Sequence, residues 1–198
     1  MNASLLAVDD ATLACAKFEC CGWNRHLSMT DTVHIGRLQW RNDCGVIADG
    51  DTRYLVLRAD SLMGAFAVLP PAERQLALIS FANSVYAHGS QSLARYSQEN
   101  DGRRDNLICT VATVAANLGW GRWTFAQTEH VISLRVLNSP FADGYGPSEV
   151  PVCHPVVGMF RALAEIMLGA PIAVKEVECA ATGSAICRFE AILDVATS

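Results

Sequence analysis

Apolar residues recur at helical spacing through the middle of the chain, and this pattern predicts three helices. One helix is predicted for residues 61–69, a long one for residues 72 to about 98, and a third for residues 105–118. The long helix carries an apolar or small stripe on one face. Gly89 falls inside that stripe and weakens a helix by about 1 kcal/mol relative to alanine. We therefore expect close packing there, against another element or a ligand.

The pattern changes to alternation after residue 119, which predicts two β-hairpins. The first pairs residues 120–128 with 130–138, and the second pairs residues 172–179 with 186–193. A helix is predicted between the hairpins, at residues 155–168.

Residues 139–151 are rich in glycine and proline and predict a loop. Helices flanked by hairpins indicate an α+β fold, in which an antiparallel sheet of about four strands packs with long helices.

The first fifty residues show a less regular pattern. Residues 3–18 have helical composition, residues 33–47 fit neither element well, and residues 53–58 predict a short strand. We divide the chain into an N-terminal segment at 1–51, which serves packing or dimerisation, and a main domain at 52–198.

Composition limits the classes of function. The 198 residues are 51% hydrophobic, which is enough for one well-buried domain, and the net charge is −5 with no basic cluster. Nucleic acid is therefore not expected as a direct partner. The N-terminus lacks the features of a signal peptide, and no apolar run approaches the roughly 18 residues of a membrane span. The eight cysteines are thus expected to be reduced, in the cytoplasm.

Three cysteines near the C-terminus suggest a metal site. A hairpin would bring Cys179 beside Cys187, and Cys153 directly precedes a predicted helix start. Three thiolates with one carboxylate or imidazole make a tetrahedral zinc set, whereas buried apolar thiols are the alternative. The spacing alone does not decide between the two. Adjacent Cys20 and Cys21 are interpreted as structural.

The same region carries a family resemblance. The runs L-R-V-L-N-S-P-F, P-V-C-H-P-V-V-G-M and G-A-P-I-A-V-K-E-V-E-C-A-A-T-G-S-A-I-C-R-F, between Leu134 and Phe189, resemble the vinyl-4-reductase domain family. Weaker similarity extends back to about Thr52. The family includes sensor domains of aromatic-responsive bacterial transcription activators and a stand-alone protein of bacteriochlorophyll biosynthesis, which this chain resembles most.

The resemblance implies a fold shared with small subunits of Golgi tethering complexes, a homodimer and one zinc ion. The implied zinc ligands are Cys153, Glu176, Cys179 and Cys187, with Glu178 and His154 as neighbouring competitors. Four protein ligands leave no open position, so the zinc would be structural.

Function then requires a pocket between the sheet and the long helices, and aromatic residues are the candidates for lining it. His88 borders the apolar stripe, where an imidazole could hydrogen-bond a ligand or coordinate the metal of a magnesium tetrapyrrole. The alternative for each residue is a place in the core. The candidate pocket residues are Phe81, His88, Tyr96, Trp120, Trp123, Phe125 and Phe141.

Three functions fit these features. The first is a carrier that delivers divinyl protochlorophyllide or a magnesium porphyrin to enzymes of bacteriochlorophyll biosynthesis, at the 8-vinyl (4-vinyl) reduction step. No dinucleotide-binding motif or cluster-type cysteine run is present, so catalysis of that reduction is left open and a carrier is favoured. The second is a zinc-containing sensor of a small aromatic or hydrophobic effector, acting through a partner protein. The third is a dimeric scaffold with a filled interior.

Overall fold

The computed structural model describes residues 32–128 and 131–192. Within them the chain forms two four-stranded antiparallel sheets and five α-helices. The first sheet is a meander of four consecutive strands: β1 (Thr32–Ile35), β2 (Leu38–Arg41), β3 (Val46–Asp49) and β4 (Thr52–Tyr54). The second has the spatial order β5-β6-β8-β7: β5 (Arg122–Gln127), β6 (Val131–Leu137), β7 (Ala173–Glu178) and β8 (Cys187–Ile192).

The five helices lie between and after the sheets in sequence. They are α1 (Ala59–Ala67), α2 (Pro71–Glu99), α3 (Arg104–Asn117), α4 (Pro140–Tyr145) and α5 (His154–Leu168). A 3₁₀ turn at Ala180–Thr182 joins β7 to β8. The predicted α+β class, with a four-stranded antiparallel sheet packed against long helices, is confirmed. None of the described helices is both long and apolar enough to cross a membrane.

The N-terminal part of the chain differs from the sequence prediction. Residues 33–47 contribute to the meander, and only residues 52–54 of the predicted strand at 53–58 pair with a neighbour. Our boundary between residues 51 and 52 falls in the turn that joins β3 to β4. The predicted helix at 3–18, Cys20 and Cys21 lie outside the described residues.

The predicted loop at 139–151 contains a short helix, α4, which the sequence analysis missed. Pro140 occupies its first turn, where a missing N–H costs nothing, and Ser139 precedes it at the N-cap. This serine–proline pair is a helix-start signal that was interpreted as the end of a strand.

Helix α5 runs through the core, and α2 crosses it closely. Phe160 and Leu163 of α5 are fully buried. A Cβ on Gly158 would lie 2.1 Å from the carbonyl oxygen of Ala82, so only glycine permits this crossing. A Cβ on Gly89 would meet the side chain of Met159 at 2.8 Å. The close packing expected at Gly89 is thus confirmed, and the neighbour is α5.

Candidate metal centre and internal cavity

The structure brings four buried side chains together where the start of α5 meets the β7–β8 hairpin. One potential ligand atom from each lies within 4.8 Å of all the others: Cys153, Glu176, Cys179 and Cys187. The Sγ atom of Cys153 is 3.6 Å from that of Cys187 and 3.9 Å from that of Cys179. Tetrahedral geometry with Zn–S bonds of about 2.3 Å places two sulfurs about 3.8 Å apart. The sulfur spacing therefore fits a tetrahedral metal ion.

The carboxylate of Glu176 is held with one oxygen free. The backbone N–H of Cys153 donates a 2.8 Å hydrogen bond to Oε2, whereas Oε1 is buried and has no hydrogen-bond partner. A buried carboxylate oxygen without a partner is costly, and a metal ion would satisfy it. The side chain is thus oriented for monodentate ligation through Oε1.

Two further groups contact the sulfurs. The backbone N–H of Ala180 donates to Sγ of Cys187 at 3.3 Å, and Oγ of Ser139 lies 3.3 Å from Sγ of Cys153. Donors around thiolates disperse their negative charge and fix their orientation. The sequence analysis did not identify Ser139 as part of this centre.

Without a metal ion, these acidic groups cannot all ionise together in so small and buried a volume. Burial, followed by the neighbouring Cys179, raises the pKa of Glu176 to about 9. Hydrogen bonds to Cys179 and Cys187, together with burial, raise the pKa of Cys153. Hydrogen bonds from Cys153 and Cys179 lower the pKa of Cys187 to about 4, although burial opposes the effect. A divalent cation would allow all four groups to be charged.

The structure also separates Glu176 from its competitors. Glu178 is paired at 2.8 Å with Arg188, and His154 is not among the four clustered side chains. A register shift in the β7–β8 pairing lies between Glu176 and Glu178, so the two carboxylates do not share an environment. The donor set is therefore three sulfurs and one oxygen, and it could hold a metal ion.

A small cavity of about 50 Å³ lies between α2, α3 and the edge of the second sheet. Its wall is mostly apolar and includes two tryptophans, whereas Tyr54, Ser92 and Tyr96 bring three hydroxyl groups to it. The full lining is Tyr54, Ser92, Leu93, Tyr96, Val111, Val114, Ala115, Leu118, Trp120, Trp123 and Met159.

Three of the seven predicted pocket residues, Tyr96, Trp120 and Trp123, line this cavity. Phe141 and Phe125 lie behind the tryptophans. Phe141 packs edge-on against Trp120 at 5.0 Å, and Phe125 packs against Trp123 at 6.1 Å.

Phe81 and His88 do not line the cavity. Phe81 stacks on Phe66 at 5.5 Å, and His88 is exposed to solvent on α2. The expectation that His88 faces a ligand is therefore wrong. Its neighbour Gly89 is the buried residue, and one residue along a helix is a rotation of about 100°.

The hydroxyl groups at the cavity connect to a buried carboxylate that the sequence did not reveal. Asp49 in β3 is 5% exposed, and its Oδ2 accepts a 2.8 Å hydrogen bond from the Tyr96 hydroxyl. Burial raises the pKa of Tyr96, and the hydrogen bond to Asp49 adds to the effect. The same oxygen accepts from Arg95 at 2.9 Å and from Arg37 at 3.2 Å.

Comparisons with known proteins agree with this arrangement. Residues 132–193 match the model of the vinyl-4-reductase domain family, whereas no curated protein matches the chain significantly. Among solved structures, the chain is similar to the phenol-responsive sensory domain of the transcription activator PoxR with phenol. The TM-score is 0.69 and the identity 18%, over 79% of this chain and 84% of that one. This likeness supports the fold.

Two other structures are similar at lower TM-scores. A vinyl-4-reductase family protein from Methanocaldococcus jannaschii gives 0.42 at 16% identity, over 70% of this chain and 96% of that one. A trafficking protein particle complex subunit 3 from Naegleria fowleri, covalently bound to palmitic acid, gives 0.48 at 11% identity, over 68% and 93%. The family match covers β6 to β8 and all four clustered side chains, so this chain contains a vinyl-4-reductase domain and carries its candidate metal centre within it.

Proposed function

We propose that this protein binds a small, mainly apolar molecule in the cavity between α2 and α3, and that a structural zinc ion stabilises the surrounding domain. The observation that carries the proposal is the cavity itself, whose apolar wall includes Trp120 and Trp123 and whose hydroxyl groups lie beside Asp49. An apolar enclosure with a few polar groups is the usual design of a small-molecule site.

Zinc fits the donor set because thiolates are soft ligands and zinc prefers four-coordinate sites of sulfur with nitrogen or oxygen. The ion would join the start of α5, through Cys153, to the final hairpin, through Cys179 and Cys187. With four protein ligands no position remains for a substrate, so the ion would supply folding stability rather than chemistry.

The size of the cavity favours a ligand of the sensor type. A volume of about 50 Å³ leaves room for a small ring or a short chain. PoxR, whose sensory domain shares the fold, is described as phenol-responsive. We propose a neutral ligand of similar size, whose polar group meets the hydroxyls of Tyr54, Ser92 or Tyr96, and a separate partner protein in the cytoplasm that receives the signal.

Tetrapyrrole delivery in bacteriochlorophyll biosynthesis is the second candidate, and the motif resemblance between residues 134 and 189 favours it. A porphyrin needs a site in the range of about 300–1,000 Å³. The cavity would have to enlarge several-fold before the protein could pass such an intermediate to enzymes of that pathway. A homodimer belongs to both proposals and can be tested by light scattering.

The test is a titration of the purified, metal-loaded protein with phenol and, separately, with magnesium protoporphyrin, followed by tryptophan fluorescence. Ala115 is buried in the cavity wall, so Ala115→Leu should fill the cavity and abolish saturable phenol binding while the fold is retained. Ala116 is exposed on the same helix, and Ala116→Leu is the matched control.

Phenol binding that is equally strong in the Ala115→Leu protein would contradict the cavity as the site. Tight binding of the porphyrin with none of phenol would favour the second candidate.

A further inference from the structure

We propose that the β1–β4 meander, residues 32–54, is a hinged gate over the cavity, and that Asp49 is the latch that holds it closed against α2. The inference rests on the proposed function only in taking the cavity as a ligand site. The opening of the gate is a property of the protein alone.

The meander forms the outer wall of the cavity. Tyr54, at the end of β4, is the lining residue that the meander supplies. A smaller void of about 10 Å³ lies between the meander and α3, and it shares Tyr54, Val114 and Leu118 with the main cavity. Two adjoining voids along one boundary show that the meander packs loosely on the helices beneath it. Displacing the meander would therefore expose the cavity.

Few apolar side chains hold the meander down. Among residues 35–54, whose side chains the structure describes, Leu38 and Ala48 are the buried apolar residues. By contrast, α5 alone buries Val156, Phe160 and Leu163 completely. Because hydrophobic stabilisation scales with buried apolar area, the meander is held less firmly than the rest of the fold.

Polar contacts to α2 take the place of a hydrophobic seam. Oδ2 of Asp49 accepts hydrogen bonds from Arg95 and Tyr96 of α2, and Arg37 of the meander reaches the same oxygen. The terminal nitrogens of Arg37 also bind both carboxylate oxygens of Glu99, at 2.8 and 3.0 Å.

The Arg37 guanidinium also lies 4.6 Å from the centre of the Tyr96 ring. These contacts converge on one buried carboxylate. Neutralising that carboxylate weakens all of its charge-assisted hydrogen bonds together.

A short connection supplies the hinge. Residues 55–58 lead from β4 to α1, and Leu55, Val56 and Leu57 are 77%, 63% and 56% exposed. Within the described part of the chain, no hydrogen bond is formed by these three residues. The connection can therefore rotate without disrupting packing or a hydrogen-bond ladder.

The first test needs no ligand. Asp49→Asn keeps the shape of the side chain and removes its charge, and Arg58→Gln removes the exposed Arg58–Asp60 ion pair as a matched control outside the latch. Hydrogen exchange should become about tenfold faster in Asp49→Asn for peptides covering residues 46–54, and unchanged for peptides of α5. Equal exchange in Asp49→Asn and Arg58→Gln would overturn the latch.

A second variant locks the gate instead of opening it. A Cβ on Gly36 would lie 3.7 Å from Cβ of Asn117 in α3, within the range of about 3.5–4.5 Å for a disulfide. The double variant Gly36→Cys/Asn117→Cys, once oxidised, should slow both exchange in residues 46–54 and phenol association, and reduction should restore both.

Gly36 has a positive φ of 58°. Gly36→Ser/Asn117→Cys therefore controls for backbone strain without a cross-link. Identical exchange in the oxidised and reduced double variant would overturn the gate.

The two proposals fail separately. If phenol binds at the same rate whether the gate is locked, reduced or unlatched, while Ala115→Leu abolishes binding, the gate is wrong and the binding function stands. If exchange follows the latch and the lock but no phenol binds, the gate stands and the binding function is wrong.

Discussion

Oγ of Ser139 lies 3.3 Å from Sγ of Cys153, and both side chains are buried. Ser139 occupies the N-cap of α4, yet its hydroxyl caps no helix N–H and contacts the sulfur instead. The junction between β6 and α4 thus supports a metal ligand on a different element.

We predict that Ser139→Ala lowers zinc affinity by about tenfold, because the thiolate of Cys153 loses its hydroxyl donor. Competition with a chromogenic chelator measures the affinity. Ser133→Ala removes an exposed hydroxyl from the same sheet and should leave affinity unchanged. Equal affinities in the two variants would show that the hydroxyl does not support the site.

Removing a ligand should cost both metal and stability. Cys179→Ser is expected to lower the zinc content and to reduce the free energy of unfolding by several kcal/mol, because metal binding and folding are coupled. Cys44 is exposed and distant in sequence, so Cys44→Ser provides the control. Urea denaturation with parallel elemental analysis tests the prediction, and a metal-free Cys179→Ser protein with unchanged stability would refute it.

The metal-free protein should show a pH dependence that Glu176 causes. Its pKa is raised to about 9 in the folded state, so between its ordinary pKa and pH 9 the unfolded chain releases a proton that the folded chain retains. Stability from this group therefore falls as pH rises, by at most about 1.4 kcal/mol per pH unit.

Glu176→Gln removes that term. In chelator-treated samples, the stability of this variant relative to the unmodified protein should increase from pH 5 to pH 8. A difference that stays constant or decreases would contradict the assignment.

The crossing of α2 and α5 should tolerate no side chain at Gly158. We predict that Gly158→Ala destabilises the protein by about 3 kcal/mol, since the new Cβ meets the Ala82 carbonyl oxygen at 2.1 Å. Gly64 of α1 has open space at its Cβ position, so Gly64→Ala should stabilise by about 0.5–1 kcal/mol. Thermal denaturation of both variants measures the contrast, and equal shifts would refute this account of the crossing.

The sequence predicted the parts of the fold that are governed by long periodic patterns. The stripe of α2 and the alternation of β6 extend over enough residues to define a face. The strands of the meander contain three or four residues each, too few for a pattern to emerge. Helix α4 was missed for a different reason, because six residues of mixed polarity resemble a loop.

The metal ligands were predictable from a hairpin and a resemblance, but the exclusion of Glu178 was not. Residues 176 and 178 share the parity of one strand, so alternation alone places both carboxylates on one face. The register shift that separates them depends on pairing with β8. The cavity was predicted only in part, because Tyr54 reaches it from the N-terminal sheet.

X-ray absorption at the zinc edge, on protein purified without added metal, tests the centre of this account most directly. We predict about one zinc per chain, with three sulfur neighbours at about 2.3 Å and one oxygen at about 2.0 Å. An absence of bound metal, or a shell containing nitrogen or a fourth sulfur in place of the oxygen, would contradict ligation by Cys153, Glu176, Cys179 and Cys187.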